Sequence, residues 1–370
     1  MPPLVKELLN RLSSRRFERG ALLEALDTAL GIAPGFVHAA TVLTTPLVER
    51  EQWRLGGRRC RSTLIWQTTD AFKLEIKSRH DPDDPDTEQK YSIFGIRHES
   101  RPDVVTLLSF ADRSGFSDGI RRLIRFNRRD LIVASLSDKR FRAILEAFPT
   151  AETLDELLVK RASVKLRVDP AQGRRPPGFS SVAWPESTLQ QAFQWVWDNN
   201  GWFVTLAFTA FRANREVGRF SLGRRGEVFA TQRFSSAFRS LCVPVALTFE
   251  QDERFFGHRA RRELEFRETR PLVIDYGRGV FAERESVRQF AAALKMFPYG
   301  SVSVYHGNPY LHAAVLDQVD GSSMEIWVAN ANRVLVVPQM RATVWGLKRV
   351  VQHIYDTFGE GDLADYGAPA

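Results

Sequence analysis

The sequence predicts an α+β protein built from antiparallel β-meanders, each packed with helices, in three recurrent meander-plus-helix units. Three observations carry this. Strand-like runs come in consecutive groups and do not alternate singly with helices, which excludes a doubly wound parallel sheet. Each group leads into a segment whose apolar residues recur at helical spacing. A chain of 370 residues, 44% hydrophobic and 26% charged, holds about two ordinary cores, which excludes a disordered or fibrous protein. Residue-by-residue likeness between the units is poor, so the recurrence is architectural and not a sequence repeat.

Taken in order, Met1 to Ala29 reads as charged amphipathic helix, with Leu8, Leu9 and Leu12, then Leu22, Leu23 and Leu26, at helical spacing. It lacks the continuous apolar core of a secretory leader. Thr28 to Val48 is uncharged but contains Pro34, Gly35 and Pro46, so it reads as a loop and a buried strand, not a membrane span. A cytoplasmic protein with no membrane partner is expected, and two cysteines far apart, Cys60 and Cys242, agree with that.

The first meander comprises Ser62–Thr69, Ala71–Ser78, Lys90–Ile96 and Val104–Phe110, each rich in β-branched or aromatic residues. A helix from Ser117 to Arg129, a short strand at Leu131–Leu136 and a helix at Lys139–Ala147 follow. Thr153-x-x-Glu156 has the form of a capping box opening a helix toward Arg161. Residues 169–186 hold Pro170, Gly173, Pro176, Pro177, Gly178 and Pro185 and read as a linker between an N-terminal part, 1–168, and a part spanning 187–358.

Beyond it, Ser187-x-x-Gln190 forms a second capping-box pattern for a helix to Asp198. Strands at Trp202–Arg212, Gly218–Leu222 and Glu227–Phe234 lead to a short helix near Ser236. A third cycle has a helix at Glu285–Met296, strands at Ser301–Tyr305, Leu311–Leu316, Met324–Ala329 and Arg333–Val337, and a helix at Thr343–Phe358. Residues 359–370 read as a flexible tail.

The sharpest chemical motif is Asp70 followed by Phe72-Lys73-Leu74-Glu75-Ile76-Lys77. Here the chain resembles the metal-binding strand of restriction-endonuclease-like nucleases, in which an aspartate and a Glu-x-Lys on an apolar strand hold a divalent cation. The resemblance implies Mg²⁺ on Asp70 and Glu75, with Lys77 positioning the water beside a scissile phosphate. It covers about eight residues, and only four residues separate Asp70 from Glu75. The same alternation describes a half-buried strand with Lys73, Glu75 and Lys77 on its polar face.

Other clusters point less sharply. The loop His80–Glu88 is acidic but lacks the glycine of a calcium loop and is interrupted by Pro82 and Pro85. His306 and His312 end two neighbouring strands without zinc spacing. No nucleophile elbow, phosphate-binding loop or dinucleotide fingerprint is present, so outside the nuclease motif no cofactor is expected.

Charge is the most distinctive property. The chain carries 52 Lys and Arg against 44 Asp and Glu, a formal +8, and only nine of the basic residues are lysine. Arginine binds phosphate and carboxylate through a planar fork. Arg121, Arg122, Arg125, Arg128 and Arg129 crowd one helix without an acid among them, a spacing that repels and so does not serve helix stability. A second cluster, Arg212 to Arg239, is interleaved with phenylalanines, and Arg224 and Arg225 in its Gly-Arg-Arg-Gly turn are its best phosphate candidates. A third, Arg254 to Arg270, mixes Arg259, Arg261 and Arg262 with Glu263, Glu265 and Glu268, so internal ion pairs explain it as well as a ligand does.

Three functional expectations follow. The leading one is a protein, or subunit of an assembly, that binds DNA or RNA backbone without sequence readout. The second is a Mg²⁺-dependent nuclease using Asp70, Glu75 and Lys77. The third is an immunity or scaffold component that binds an acidic protein partner.

Overall fold

The computed structural model describes residues 15–32, 35–44, 52–55, 58–79, 88–110, 115–166, 180–199, 201–260, 270–277, 279–307, 310–339 and 341–366. The α+β class with antiparallel meanders is what the chain adopts. It divides into two compact units, residues 1–166 with 178–249, and residues 250–370 with 167–177.

In the first unit, α1 (Arg19–Ile32) precedes strands β1 (Val37–Thr44), β2 (Gln52–Leu55), β3 (Arg58–Gln67), β4 (Ala71–Arg79), β5 (Glu88–Arg97) and β6 (Val104–Ser109). A wide π-helical turn, Gly115–Arg121, runs into α2 (Arg122–Phe126). Then come β7 (Leu131–Val133), α3 (Asp138–Ala151), β8 (Glu156–Leu166), β9 (Ser180–Thr188), α4 (Leu189–Asp198), β10 (Gly201–Arg212), β11 (Arg215–Gly223) and β12 (Glu227–Ala230). The two meanders read separately from the sequence are one sheet, ordered β2-β3-β4-β5-β6-β1-β12-β11-β10-β8-β9, with β7 paired to β1 off that path. The join is β1, whose Val37–Ala40 face Ala230–Glu227 on one side while His38–Leu43 face Ser109–Val104 on the other.

Both faces of this sheet around β4 and β1 are covered. On one, Phe116, Ile120 and Leu123 pack onto Ala40, Val42, Phe72, Leu74 and Ile76. On the other, Lys73 is buried beside the Phe94 ring and Trp66 is buried too, so the expected polar face of β4 is solvated only toward Glu75 and Lys77.

In four places the local structure differs from what the sequence predicts. Thr153–Glu156 opens a strand, not a helix: Thr153 takes a positive φ of 50°, and Glu156–Leu166 pairs with β10 and β9. Irregular register near Val159/Arg161 breaks the two-residue alternation, so Leu157, Val159, Ala162 and Val164 are all buried in a pattern that does not look period-two. The second capping box lies one residue further on. Thr188 accepts from the Gln191 amide and the Gln191 side chain accepts from the Thr188 amide. Of the expected linker, 180–186 is part of β9, and its earlier portion lies outside the described residues.

Where a short helix near Ser236 was expected, α5 (Phe234–Ala237) continues through a π turn, Phe238–Cys242, into α6 (Val243–Gly257). Pro244 has no N–H to complete an α-helical bond, and the chain widens just before it. The boundary between the units falls within α6, between Phe249 and Glu250.

The second unit contains β13 (Leu272–Asp275), α7 (Arg284–Lys295), β14 (Gly300–Gly307), β15 (Leu311–Asp317), β16 (Ser323–Val328), β17 (Arg333–Pro338), α8 (Val344–Thr357) and β18 (Asp362–Asp365). The sheet order is β14-β15-β16-β17-β13-β18. One face buries Leu311, Ala313, Val315, Met324, Ile326, Val334 and Val336 against Phe290, Leu294, Leu347, Val350 and Ile354 of the helices. The expected flexible tail is corrected in part: Asp362–Asp365 pairs with β13, and the Tyr355 hydroxyl donates to the Gly361 carbonyl at 2.7 Å.

Candidate functional site

The nuclease constellation does not converge. Asp70 sits in the β3–β4 turn, where its carboxylate accepts the Arg19 amide at 2.9 Å and stands 3.9 Å from the Arg19 guanidinium. Glu75 is four strand residues beyond Ala71, roughly 13 Å at the usual rise, and pairs with Lys77 at 3.6 Å. The carboxylate that does approach Asp70 is Glu18. Its hydrogen bond to Asp70, with burial and the neighbouring negative charge, holds the Glu18 carboxyl above its ordinary range. Among the described residues no group of three or more His, Cys, Asp or Glu is arranged to hold a metal ion.

The arginine helix is not acid-free in space. Arg121 makes a two-pronged ion pair with Glu227, its Nε 2.8 Å from Oε1, and lies 5.2 Å over the Phe116 ring. Arg122 pairs with Asp118 at 3.3 Å. Arg125 is exposed over Phe126 at 5.7 Å, and Arg129 is exposed while Arg128 is half-buried with a partner. The Arg121–Glu227 bridge spans 106 residues and ties this helix to the first residue of β12, two positions after Arg225. Sequence spacing could not show that two of the predicted clusters belong to one region.

Below the bridge lies an aromatic stack. His38 lies 4.9 Å from Phe116, near-parallel at 21°, and 5.0 Å from Phe229, and Phe36 closes on both His38 and Phe229 at 5.2 and 5.5 Å. All but Phe116 are half-buried.

Arg224 and Arg225 have different roles. Arg224 is 3% exposed and its Nε donates to the Leu136 carbonyl at 2.8 Å, while its backbone is bonded to Val204 and Leu136. It fastens the turn to the core and does not face a phosphate. Arg225 is exposed and has an interaction partner within the chain. The turn closes on Gly226, with φ of +70°, where a Cβ would stand 2.8 Å from both Ala134 Cβ and Val245 Cγ1.

Elsewhere in the second cluster, Arg212 clamps the Glu152–Thr153 turn. Arg219 pairs with Glu216 at 3.0 Å, and Phe208 and Phe220 pack on Phe148 in the core. In the third cluster, 261–269 lies outside the described residues, and so do 80–87 of the acidic loop.

The remaining chemical candidates are structural. His306 and His312 are cross-strand neighbours, but His312 stacks on Trp327 at 3.8 Å and faces Glu325 at 3.4 Å. Burial pushes the Cys242 thiol up to about 12, which leaves no thiolate near neutrality. A feature not singled out from the sequence is the outward face of β14–β16, where Tyr305, Leu316 and Trp327 are exposed. Strand alternation from the buried Val315, Met324 and Ile326 was the signal for the last two.

Comparison with models of known families, with characterised proteins and with solved structures returned no match.

Proposed function

We propose that this protein binds a polyanion, the backbone of DNA or RNA, through arginines of its first unit, without base readout. The supporting observation is the segregation of charge. The first unit carries 35 Lys and Arg against 27 Asp and Glu, the second 17 against 17, so the whole formal +8 belongs to the first. Within it, Arg125 and Arg129 stand exposed on the arginine helix that the Arg121–Glu227 bridge ties to the Gly-Arg-Arg-Gly turn. Arg121 and Arg122 are partly neutralised at rest, so their role is to set the position of the helix. Arg125 and Arg129 supply the contact.

Such binding releases condensed counterions and weakens steeply with salt. Fluorescence anisotropy with a labelled oligonucleotide, over a salt series, tests it. Arg125→Ala with Arg129→Ala is expected to weaken binding for every sequence and to reduce the slope of log K on log salt by about 2. Absence of binding at low salt, or an unchanged slope in the double variant, sinks the reading. Recovery of one acidic protein in stoichiometric amount from nuclease-treated lysate would transfer the same arginines to a protein partner. The nuclease alternative needs Mg²⁺ held jointly by Asp70 and Glu75, which sit at different points along the hairpin. Cleavage lost in Glu75→Ala would revive it.

A further inference from the structure

We infer that the polyanion is single-stranded, and that one of its bases stacks on Phe229 in a slot over Ser221 and Ala207. This rests on the polyanion reading and adds to it the strandedness of the nucleic acid.

The slot follows from the register of four strands. His38 of β1 stands opposite Phe229 of β12, Phe229 opposite Ser221 of β11, and Ser221 opposite Ala207 of β10. All four are half-buried. Val228, Leu222 and Leu206, which alternate with them, are buried on the other face, where Phe148 of α3 packs on Phe208 and Phe220. Along the row the side chains change abruptly in size. On its β1 side Phe229 has His38 at 5.0 Å and Phe36 at 5.5 Å. On its β11 side come a serine and then an alanine. With adjacent strands ~4.8 Å apart, two small residues in succession leave roughly 10 Å of low floor beside the ring. Among the described residues, the aromatic neighbours of that ring all belong to β1 or the residue before it. A flat base over the floor stacks on the ring from its open side and completes its burial.

Cations stand at both ends of the row. At the β1 end, Arg121 lies over Phe116, which stacks on His38, and the arginine helix continues from there to the exposed Arg125 and Arg129. At the other end, Arg161 of β8 is opposite Ala207 and exposed, with a partner within the chain. Arg219, two residues before Ser221 and so on the same face, is also exposed. The carboxylates beside the row, Glu227 and Glu216, are held by Arg121 and Arg219, so they do not stand as bare charges against a phosphate. Positive charge flanking an aromatic slot matches a strand that carries phosphates and flat bases together. A duplex offers the same phosphates but keeps the faces of its bases against one another, so it leaves the slot empty. Stacking accepts any base, which agrees with binding that reads no sequence.

Fluorescence anisotropy of the full chain compares labelled oligothymidine with an abasic deoxyribose-phosphate oligomer of the same length and charge. Oligothymidine is expected to bind about tenfold more tightly, the worth of one stacked base. Ser221→Leu, which fills the slot, and Phe229→Leu, which removes the ring, each bring that ratio toward one. The ratio compares two probes on one protein, and circular dichroism confirms that each variant is folded. Ultraviolet cross-linking with peptide mapping is expected to place thymine on the peptide carrying Phe229 or Ser221 with the single strand, and not with its duplex. Equal binding of the two oligomers by wild type, a ratio that survives Ser221→Leu, or an equal cross-link from the duplex overturns the inference and leaves the polyanion reading standing. Failure of both oligomers and the duplex to bind at low salt overturns the two together.

Discussion

At the scale of single residues, the buried polar chain in the first unit ties local chemistry to pH. His98 Nε2 lies 2.8 Å from Thr106 Oγ1, which is 3.0 Å from Thr41 Oγ1, and the imidazole stacks on Phe238 at 5.3 Å. Burial, reinforced by the charge of Arg19, lowers His98 from 6.5 to about 4. The folded histidine therefore refuses a proton that the unfolded chain accepts. Stability is full above about pH 6.5 and falls as pH drops toward 4, by up to about 3 kcal/mol. Tm measured at pH 7 and pH 4.5 should differ less in His98→Phe than in wild type; an equal difference would clear His98 of that role. Nothing in the sequence marks His98, because Phe238 reaches it from the π turn after α5 and Thr41 of β1 is linked to it only through Thr106. The burial of Arg224 is hidden from the sequence for a related reason. A Gly-Arg-Arg-Gly turn looks solvated in one dimension, and only the approach of Leu136 and Val204 buries its first arginine.

At the scale of elements, Gly226→Ala tests how tightly the β11–β12 turn is built. The substitution forces both a strained positive φ and contacts at 2.8 Å with Ala134 and Val245, and should cost about 2 kcal/mol in urea unfolding. Thr188→Ala, which removes one arm of the capping box, should cost about 1 kcal/mol, whereas Ser187→Ala should be nearly silent if the box is Thr188–Gln191.

Strands and helices with clean periodicity were legible: β3–β6, β14–β17, α7 and α8 sit within a few residues of their expected positions. β8 was not, because the slip near Val159/Arg161 moves its buried residues from odd to even numbers. Nor was α6, whose Val243, Pro244 and Val245 carry strand-like and turn-like preferences that the preceding π turn overrides. The arginine clusters were legible as composition. Which arginines remain available was not, since Glu227 is supplied to Arg121 from a distant strand.

At the scale of the whole molecule, the two units have separate cores and different electrostatics. Calorimetry should therefore resolve two unfolding transitions. In the second unit, Lys348 pairs with Asp252 and both are buried. Lys348→Met takes the cation from that carboxylate and should lower one transition, by about 3 kcal/mol, while His98→Phe shifts the other. A single transition displaced by both substitutions would show that the cores unfold together.

The position of β1 bears on synthesis as well as on stability. Its eight residues are nearly all buried, yet one of its neighbours, β12, begins only at Glu227. A ribosome adding ~5–20 residues per second leaves that side of β1 without its strand for roughly 10–40 s. During that interval the growing chain displays an apolar strand edge at the centre of its future sheet. The fold thus commits the nascent protein to a late closing step, at which a holding chaperone would have most to do.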